Sequence, residues 1–359
     1  MAKSGAKSKG KSWFKRQTIM ERVLLALVPC LVGAIYFFGW RSFVMLLWVI
    51  AVGCLTEYFM ASKRGDPLTG SCLVTGALLA LSLPPTTPFW MAAVGIIVGI
   101  FFGKEVFGGF GRNVFNPAIV GRAFIYVCFP VELTGHFTPA YSGFPGGLAH
   151  WGPIRMFEGM DALTAATPMW ARRDHGVMTE LSDLFFGTIG GTFNEGTQVL
   201  AAGSVGEVSS LLVLLGGIYL LWTKTANWRL IAGSLGGAAA TCLFFRYGLG
   251  AEGVPPLLWT LFSGAMLYAC FFMVTDPVSA PKERRAQWIY AVFIGAMIVF
   301  LRWKSVFSGA VAFAILLGNT VGPTVELITS SKKSKKKTTS KNATGKAADK
   351  SADTAKATG

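Results

Sequence analysis

The stretch DALTAATPM, residues 161–169, combines residue types that could support a covalent attachment. Thr167 supplies a hydroxyl, which is the group that an ester requires, and the alanines before it leave room for a bulky substituent. Pro168 turns the chain away from that hydroxyl, while Asp161 and Thr164 add polar groups a few residues earlier. An Ala-Ala-Thr-Pro stretch is also typical of an ordinary loop, so these residues leave both interpretations open.

A second polar group lies in FGKEVFGGFGRNVFNPAIVGRAF, residues 102–124, where charges, glycines and an Asn-Pro step interrupt an apolar region. A broken backbone at membrane depth must line a cavity or be buried in protein, because lipid offers it no hydrogen bonds. The stretch therefore predicts a re-entrant segment or a half-helix. Asn113 and Asn116 are three residues apart, so their amides could bind the polar edge of a planar ligand or could cap broken helix ends.

Three carboxylates lie in or beside apolar stretches. Glu57 is inside VMLLWVIAVGCLTEYFMA, and an ionisable group there is a functional candidate, although snorkelling to the nearby helix end is the alternative. Asp276 precedes a proline in MVTDPVSAPKERR and is either a turn residue or an ion ligand. Glu207 in GSVGEVSS has the position of an acid favoured by a helix N-terminus. The histidine and cysteine spacings predict no metal site.

The elements that hold these residues are apolar helices. The chain has 359 residues, of which 52% are hydrophobic and 14% charged, and its mean hydropathy is +0.51. Apolar windows of about 20 residues predict an all-α polytopic membrane protein. About ten transmembrane helices are expected, centred near Leu27, Trp48, Gly76, Gly95, Phe124, Leu214, Gly236, Met266, Phe293 and Ala314.

The formal net charge of +15 is concentrated at the two ends, and nine lysines lie beyond residue 330. Such ends are expected to be solvated and to contact anionic lipid heads of the bilayer. No aromatic-interleaved basic module accompanies the lysines, so we expect no nucleic-acid partner. Short loops rich in Lys and Arg, among them one with Lys104 and Arg112, place both termini in the cytoplasm.

A weak internal repeat relates TGALLALSLPPTTPFWMAAVG to SGAMLYACFFMVTDPVSAPKERRAQWIYAVFIG, with Trp90 matching Trp288. It predicts two inverted five-helix repeats with broken half-helices, unless the two apolar hairpins are alike only in composition. The predicted order is a basic cytoplasmic segment (1–21), a first membrane repeat (22–132), an exported loop (133–205), a second membrane repeat (206–329) and a disordered Lys-rich cytoplasmic tail (330–359).

These motifs together resemble the B subunit of the Na+-translocating NADH:quinone reductase, over roughly residues 20–328. Its sister family is the D subunit of the Rnf ferredoxin:NAD oxidoreductase complex. In that family a flavin transferase attaches FMN through a phosphoester to the last threonine of a D-x-x-[ST]-[GA]-A-T motif. The resemblance maps this motif onto Asp161, Thr164 and Thr167, with Ala165 where glycine is commoner.

The resemblance also implies roles inside the membrane. The segment of Asn113 and Asn116 would contribute to a noncovalent riboflavin site. Gly53 and its neighbour Cys54 would lie at a quinone site, and Glu57 and Asp276 would match acidic positions linked to cation uptake. These roles are expectations carried over position by position.

The implied enzyme is a six-subunit complex of the bacterial inner membrane. Electrons from NADH would enter through partner subunits, pass through FMN and riboflavin, and reduce ubiquinone or menaquinone, coupled to Na+ transport. Two alternatives stay open. One is the Rnf D subunit, which has no quinone role, and the other is a flavin-free transporter with the same inverted-repeat plan.

Overall fold

The computed structural model describes residues 14–154, 164–193, 198–305 and 309–330, and it is mostly helical, as the sequence predicts. A two-residue strand β1 (Phe14–Lys15) pairs in parallel with β2 (Leu68–Thr69). A π-helical turn, Phe101–Glu105, continues α4. The first helical block consists of α1 (Thr18–Phe38), α2 (Arg41–Arg64), α3 (Ser71–Leu81), α4 (Phe89–Ile100), α5 (Pro117–Cys128) and α6 (Pro130–Thr134).

The segment between the two helical blocks carries short elements. A small sheet forms from β3 (Thr164–Ala166), β4 (Thr192–Phe193) and β5 (Gln198–Leu200), in the order β3-β5-β4. Strand β3 is parallel to β5, and β4 is antiparallel to it. The helices of this segment are a 3₁₀ turn at Gly146–Ala149, α7 (Pro168–His175) and α8 (Leu181–Phe186).

The second helical block is again interrupted. Its helices are α9 (Ser210–Trp222), α10 (Trp228–Leu243), α11 (Leu257–Phe262), α12 (Met266–Tyr268), α13 (Arg284–Lys304) and α14 (Ala310–Ser330). Two of them continue as π-helical turns, α10 through Phe244–Gly248 and α12 through Ala269–Met273.

The all-α membrane fold is confirmed. Within the described residues, five helices are long and apolar enough to cross a membrane: Thr18–Phe38, Arg41–Arg64, Trp228–Gly248, Arg284–Lys304 and Ala310–Ser330. The centres predicted from the sequence all fall in helical segments, several of which are too short to span a bilayer alone. The count of ten crossings and their inverted sense stay predictions.

The predicted break after α4 is present. The helical path ends with the turn that includes Glu105, and Gly108, Gly109 and Gly111 follow with φ of +97°, +90° and +90°. Side chains with a Cβ rarely adopt this left-handed region, so the glycines are what allow the chain to reverse here. Helix α5 then starts behind Asn116, whose side chain caps it.

Helices α4 and α5 pack closely through glycines. A Cβ on Gly121 would meet the backbone oxygen of Gly95, and a Cβ on Gly99 would meet that of Pro117. Small residues of this kind allow two membrane helices to approach each other's backbones. Arg122 follows Gly121 directly on α5, so this contact also limits the movement of its backbone.

Only some of the predicted segment boundaries lie within the described residues. Helix α1 begins at Thr18, about one turn before the boundary predicted at Arg22. Residues 1–13 and 331–359, which carry most of the predicted basic ends, lie outside the described residues. Asp161 of the threonine motif lies outside them as well.

Candidate functional site

Thr167 lies at the junction between β3 and α7. Its backbone is extended, with φ −65° and ψ 159°, and its hydroxyl makes no capping hydrogen bond to the helix that follows. The Thr167 carbonyl accepts a hydrogen bond from the amide of Ala171 at 2.8 Å, and the Ala166 carbonyl accepts one from Ala201 at 3.0 Å. Backbone bonds on both sides therefore hold the residue, while its side chain is left for another partner. Thr164 starts the edge strand of the small sheet.

Thr167 lines a cavity of about 1100 Å³, part of it open to solvent. Three arginines from different elements line the same cavity: Arg122 of α5, Arg173 of α7 and Arg302 of α13. The lining of the cavity thus comes from both helical blocks and from the segment between them.

Arg122 is held by the GSVGEVSS segment. Its Nη2 donates to the Ser204 hydroxyl at 3.2 Å, and its Nη1 is 3.9 Å from Glu207 Oε2. The Glu207 carboxylate lines the cavity, and its Oε2 is buried and accepts no hydrogen bond from any described residue. Glu207 is therefore the counter-ion of a cavity arginine, in addition to lying just before α9.

Arg173 forms a two-pronged pair with its neighbour Asp174, with Nε–Oδ1 2.6 Å and Nη2–Oδ2 2.9 Å. Hydrogen bonding to this guanidinium lowers the pKa of Asp174 below its usual value. The Arg173 guanidinium also lies 5.8 Å from the centre of the Trp170 ring. The indole nitrogen of Trp170, another cavity residue, is buried and has no hydrogen-bond partner among the described residues.

Arg302 donates through Nη1 to the Thr260 carbonyl at 3.2 Å. The other walls of the cavity carry the aromatic rings of Tyr126, Phe137 and Phe262. Guanidinium groups bind phosphate and other anions, and aromatic rings favour planar partners. The residues present therefore fit a ligand that combines negative charge with a flat ring system, and the orphaned Trp170 donor could bind one of its oxygens.

A second cavity, of about 650 Å³, brings together residues that the sequence analysis singled out separately. Asn113, Asn116 and Asp276 all line it, together with Lys104 and the ring of Phe110. Asp276 comes from the second helical block and the other residues from the first. The two predicted polar groups are thus one site in the folded chain.

The two asparagines have structural bonds as well. The Asn116 Oδ1 accepts from the Ala118 amide at 3.0 Å, and its Nδ2 donates to the Met273 carbonyl at 3.4 Å. Asn113 Nδ2 donates to the Phe115 carbonyl at 3.0 Å. Asn116 therefore caps α5 and also ties it to the π-helical turn after α12.

Asp276 forms a turn. Its Oδ2 accepts from the Ser279 hydroxyl at 2.7 Å, and its Oδ1 accepts from the Val278 amide at 3.4 Å. The turn interpretation of this residue is thus confirmed, while the side chain is also half-buried on the wall of the second cavity. Asp276 therefore forms a turn and also lines the second cavity.

Glu57 is buried, with 1% of its surface exposed, and its Oε2 lies 2.5 Å from Lys104 Nζ. The snorkelling alternative is therefore wrong, because the carboxylate is paired inside the protein and does not reach solvent. Placing Lys104 in a cytoplasmic loop is wrong too. The lysine lies in the π-helical continuation of α4 and is 2% exposed, because Glu57 stabilises its charge away from water.

Gly53 and Cys54 lie elsewhere. Gly53 is packed against α4, where an added Cβ would be 2.9 Å from Ile96 Cγ1. The Cys54 thiol is half-buried and lies near that of Cys72 on α3. Neither residue lines the two cavities. Their role at a quinone site stays a prediction.

Sequence reasoning missed Arg122, Arg302, Trp170 and the pairing of Lys104. A usable signal existed for the arginines, since both lie inside apolar helices, where an ionisable group is a functional candidate by the rule applied to Glu57. Trp170 offered no signal of this kind. Among the described residues, no group of three His, Cys, Asp or Glu side chains could hold a metal ion.

The fold and the two cavities define a polytopic membrane protein whose cavities are lined by charged groups and aromatic rings. The chain belongs to the NQR2, RnfD, RnfE family, whose sequence model matches residues 9–335.

The chain is similar to relatives that are named either as D subunits or as B subunits of oxidoreductase complexes. The D subunit of the ion-translocating oxidoreductase complex of Aeromonas hydrophila is 32% identical over 338 residues, which are 88% of this chain and 93% of the relative. The D subunit of the proton-translocating ferredoxin:NAD(+) oxidoreductase complex of Clostridium ljungdahlii is 32% identical, over 88% and 90%. The B subunit of the Na(+)-translocating NADH-quinone reductase of Azotobacter vinelandii is 34% identical, over 77% and 63%.

The resemblance noted in the sequence is thus confirmed at the level of the family. These relatives are subunits of ion-translocating oxidoreductase complexes of the membrane. The chain is a multi-pass membrane subunit of that family.

Proposed function

We propose that this chain carries FMN, joined through a phosphoester to the Thr167 hydroxyl, as an electron-transfer subunit of an ion-translocating oxidoreductase. The observation that carries the proposal is the position of Thr167 on a cavity lined by three guanidinium groups and several aromatic rings. A phosphoester and a reduced flavin are both negatively charged, so Arg122, Arg173 and Arg302 would neutralise the bound cofactor.

Within this cavity the chain's own residues supply binding and electrostatics. The Trp170 indole would donate its unused N–H to the flavin, and the ring of Phe262 would offer an apolar wall. Bound FMN would supply the one- and two-electron redox chemistry that protein side chains lack. Asp161 and Thr164 would serve recognition by the flavin transferase during maturation.

The second cavity is the proposed site of a noncovalent riboflavin. Its support is the convergence of the Asn113 and Asn116 segment with Phe110 and Asp276 around about 650 Å³. Riboflavin has no phosphate, and this cavity has one cation, Lys104, which is already paired with Glu57, where the first has three arginines. The difference in charge between the cavities agrees with the difference between the two flavins.

The proposed complex is the Na+-translocating NADH:quinone reductase of the bacterial inner membrane, a six-subunit enzyme in which this chain has both termini in the cytoplasm. Electrons would reach FMN from partner subunits and leave through riboflavin to a quinone. The second candidate is the ferredoxin:NAD type of complex. Its support is that 88% of this chain aligns with the two D subunits described above, against 77% with the B subunit.

The first experiment is in-gel flavin fluorescence under denaturing conditions, on protein co-expressed with an active flavin transferase. Thr167→Ala should abolish the fluorescent band, because no hydroxyl remains to form the ester. Thr192→Ala is the matched control, since it removes an exposed threonine from β4 of the same small sheet, and it should keep the band. A fluorescent Thr167→Ala band would contradict the assignment. Wild type without fluorescence would favour the flavin-free transporter.

A second experiment separates the two complexes. Membranes containing the assembled complex would be tested for NADH oxidation with a quinone acceptor and, separately, for NAD reduction by reduced ferredoxin. Quinone reduction that stops with a quinone-site inhibitor would support the first candidate. Ferredoxin-dependent NAD reduction without quinone reduction would support the second.

A further inference from the structure

Two tryptophans and two arginines form a cluster where α10 and α13 begin. The rings of Trp228 and Trp288 are in edge-to-face contact, with their centres 5.8 Å apart and their planes at 83°. The Arg229 guanidinium lies 5.3 Å from the centre of the Trp228 ring. Arg284 is four residues before Trp288, so it lies on the same face of α13, one turn nearer the helix start.

The two helices begin at the same side of the membrane. An added Cβ on Gly233 would meet the Ala291 side chain, and one on Gly295, further along α13, would meet the backbone of Ala238, further along α10. The helices therefore pack in parallel. Each is a candidate span of 21 residues, counting the π-helical end of α10. That is about 31 Å of helix, close to the thickness of the hydrocarbon core, so the cluster lies at the level of the lipid headgroups.

The cluster carries positive charge without a partner from the protein. Residues 282–285 include three cations and one carboxylate, Glu283. That carboxylate accepts from two backbone amides in the first turn of α13, at 2.5 and 3.2 Å, and so caps the helix. Within the described part of the chain, neither Arg229 nor Arg284 is in an ion pair. Both guanidinium groups can therefore bind an external anion.

The same surface becomes apolar toward the centre of the membrane. The side chains of Trp228 and Trp288 are 55% and 39% exposed, and Ile289 and Val292 are exposed further along α13. Tryptophan rings favour the boundary between headgroups and acyl chains. Along the membrane normal, the order of guanidinium, indole and aliphatic side chain thus matches that of phosphate, glycerol and acyl chain in a phospholipid.

We propose that Arg229, Arg284, Trp228 and Trp288 form a binding site for an anionic phospholipid. The guanidinium groups bind its phosphate, and the two indoles cover its glycerol and the start of an acyl chain. A soluble anion would contact only the arginines, whereas a lipid also covers the exposed rings, which is why the surface favours a lipid. The proposal goes beyond the electron-transfer role and is independent of the Thr167 flavin.

The test uses the purified complex in nanodiscs with a trace of photoactivatable phosphatidylglycerol or, separately, of phosphatidylcholine with the same acyl chains. Mass spectrometry identifies the labelled peptides. The anionic lipid should label the peptides that begin α10 and α13 more strongly than the neutral lipid does. Arg229→Gln and Arg284→Gln should each lower this preference by up to about fivefold, the usual contribution of one arginine at an anionic membrane surface. The double variant should label equally with both lipids.

Arg112→Gln is the matched control. It removes one exposed arginine from the break after α4 and should keep the full lipid preference at α10 and α13. Equal labelling of wild type by the two lipids, or a preference that the double variant retains, would overturn the proposal. Absence of label from both peptides would overturn it as well, since a partner subunit would then cover this surface.

Two further measurements distinguish the source of the anion and guard against a misfolded variant. Excess inorganic phosphate should leave the lipid labelling unchanged, and loss of labelling would overturn the lipid assignment in favour of a soluble anion. Phosphatidylglycerol added to the delipidated complex should raise the melting temperature of wild type and of Arg112→Gln more than that of the double variant. Equal shifts in all three proteins would count against the site.

Discussion

The guanidinium of Arg122 on α5 lies beside the carboxylate of Glu207 in the lining of the first cavity, with Nη1 and Oε2 3.9 Å apart. The arginine also donates to Ser204, whereas that carboxylate oxygen accepts no hydrogen bond from a described residue. Glu207 thus acts mainly through its charge. It offsets one of the three positive groups around Thr167, so it is the residue through which the cavity's net charge can be changed with least disturbance.

Glu207→Gln should move the midpoint potential of the Thr167 flavin to a more positive value. The substitution keeps the shape of the side chain and removes one negative charge, so Arg122 is freer to stabilise the negative charge of the reduced cofactor. Spectroelectrochemical titration of the flavinylated complex measures the potential. Glu180→Gln changes an exposed carboxylate ahead of α8 and should leave the potential unchanged. A Glu207→Gln potential equal to that of wild type would contradict this electrostatic role.

Gly121→Ala should destabilise the protein by about 1–3 kcal/mol, the usual cost of forcing extra volume into a packed contact. Its new methyl would meet the Gly95 backbone, push α5 away from α4 and shift Arg122 at the cavity. Thermal unfolding in detergent would report the loss, together with weaker flavinylation of Thr167.

The matched control for that variant is Gly236→Ala on α10. Gly236 is exposed, and an added Cβ would have no described atom within 4 Å. Alanine there should leave stability unchanged or raise it by about 0.5–1 kcal/mol, because glycine is the poorer helix former. Equal losses of stability in Gly121→Ala and Gly236→Ala would contradict a specific contribution of the close α4–α5 contact.

Two substitutions at Asn116 separate its two bonds. Asn116→Ala removes the cap of α5 and the bond to the Met273 carbonyl, and should cost about 1 kcal/mol or more. Asn116→Asp keeps the capping oxygen and loses only the donor, so it should be the milder change in thermal unfolding. Riboflavin content after gel filtration should fall in both variants if the amide contacts that flavin. Full riboflavin retention in both would contradict a role for Asn116 in the second cavity.

Tyr290 and Asn319 join α13 to α14 through a buried bond of 2.6 Å from the tyrosine hydroxyl to Oδ1. Tyr290→Phe should cost about 1–3 kcal/mol, because the buried amide of Asn319 loses its partner. The double variant Tyr290→Phe/Asn319→Leu should recover much of that stability, since no polar group is then left unpaired. Thermal unfolding of the two single variants and the double variant gives the coupling energy. Strict additivity of the single effects would contradict the expected coupling.

The sequence by itself determined the membrane class and the sites of interruption. Apolar windows as long as a bilayer is thick can be satisfied only by helices, and every predicted centre falls in one. The Asn-Pro step and the glycines around Phe110 also specified the break. Few residue types other than glycine accept the positive φ angles seen at Gly108 and Gly109. Thr167 could be singled out because a motif is local and its residues are contiguous.

Only the tertiary structure decided which polar groups meet. Lys104 has the local appearance of a cytoplasmic loop lysine, yet it is buried, because Glu57 lies 47 positions away in the chain and folds against it. Arg122, Thr167 and Arg302 are likewise remote in sequence and share one cavity. Helix periodicity and composition report what each segment buries locally. They carry no information on which segment becomes its neighbour, and the pairing of charges across helices depends on that neighbour.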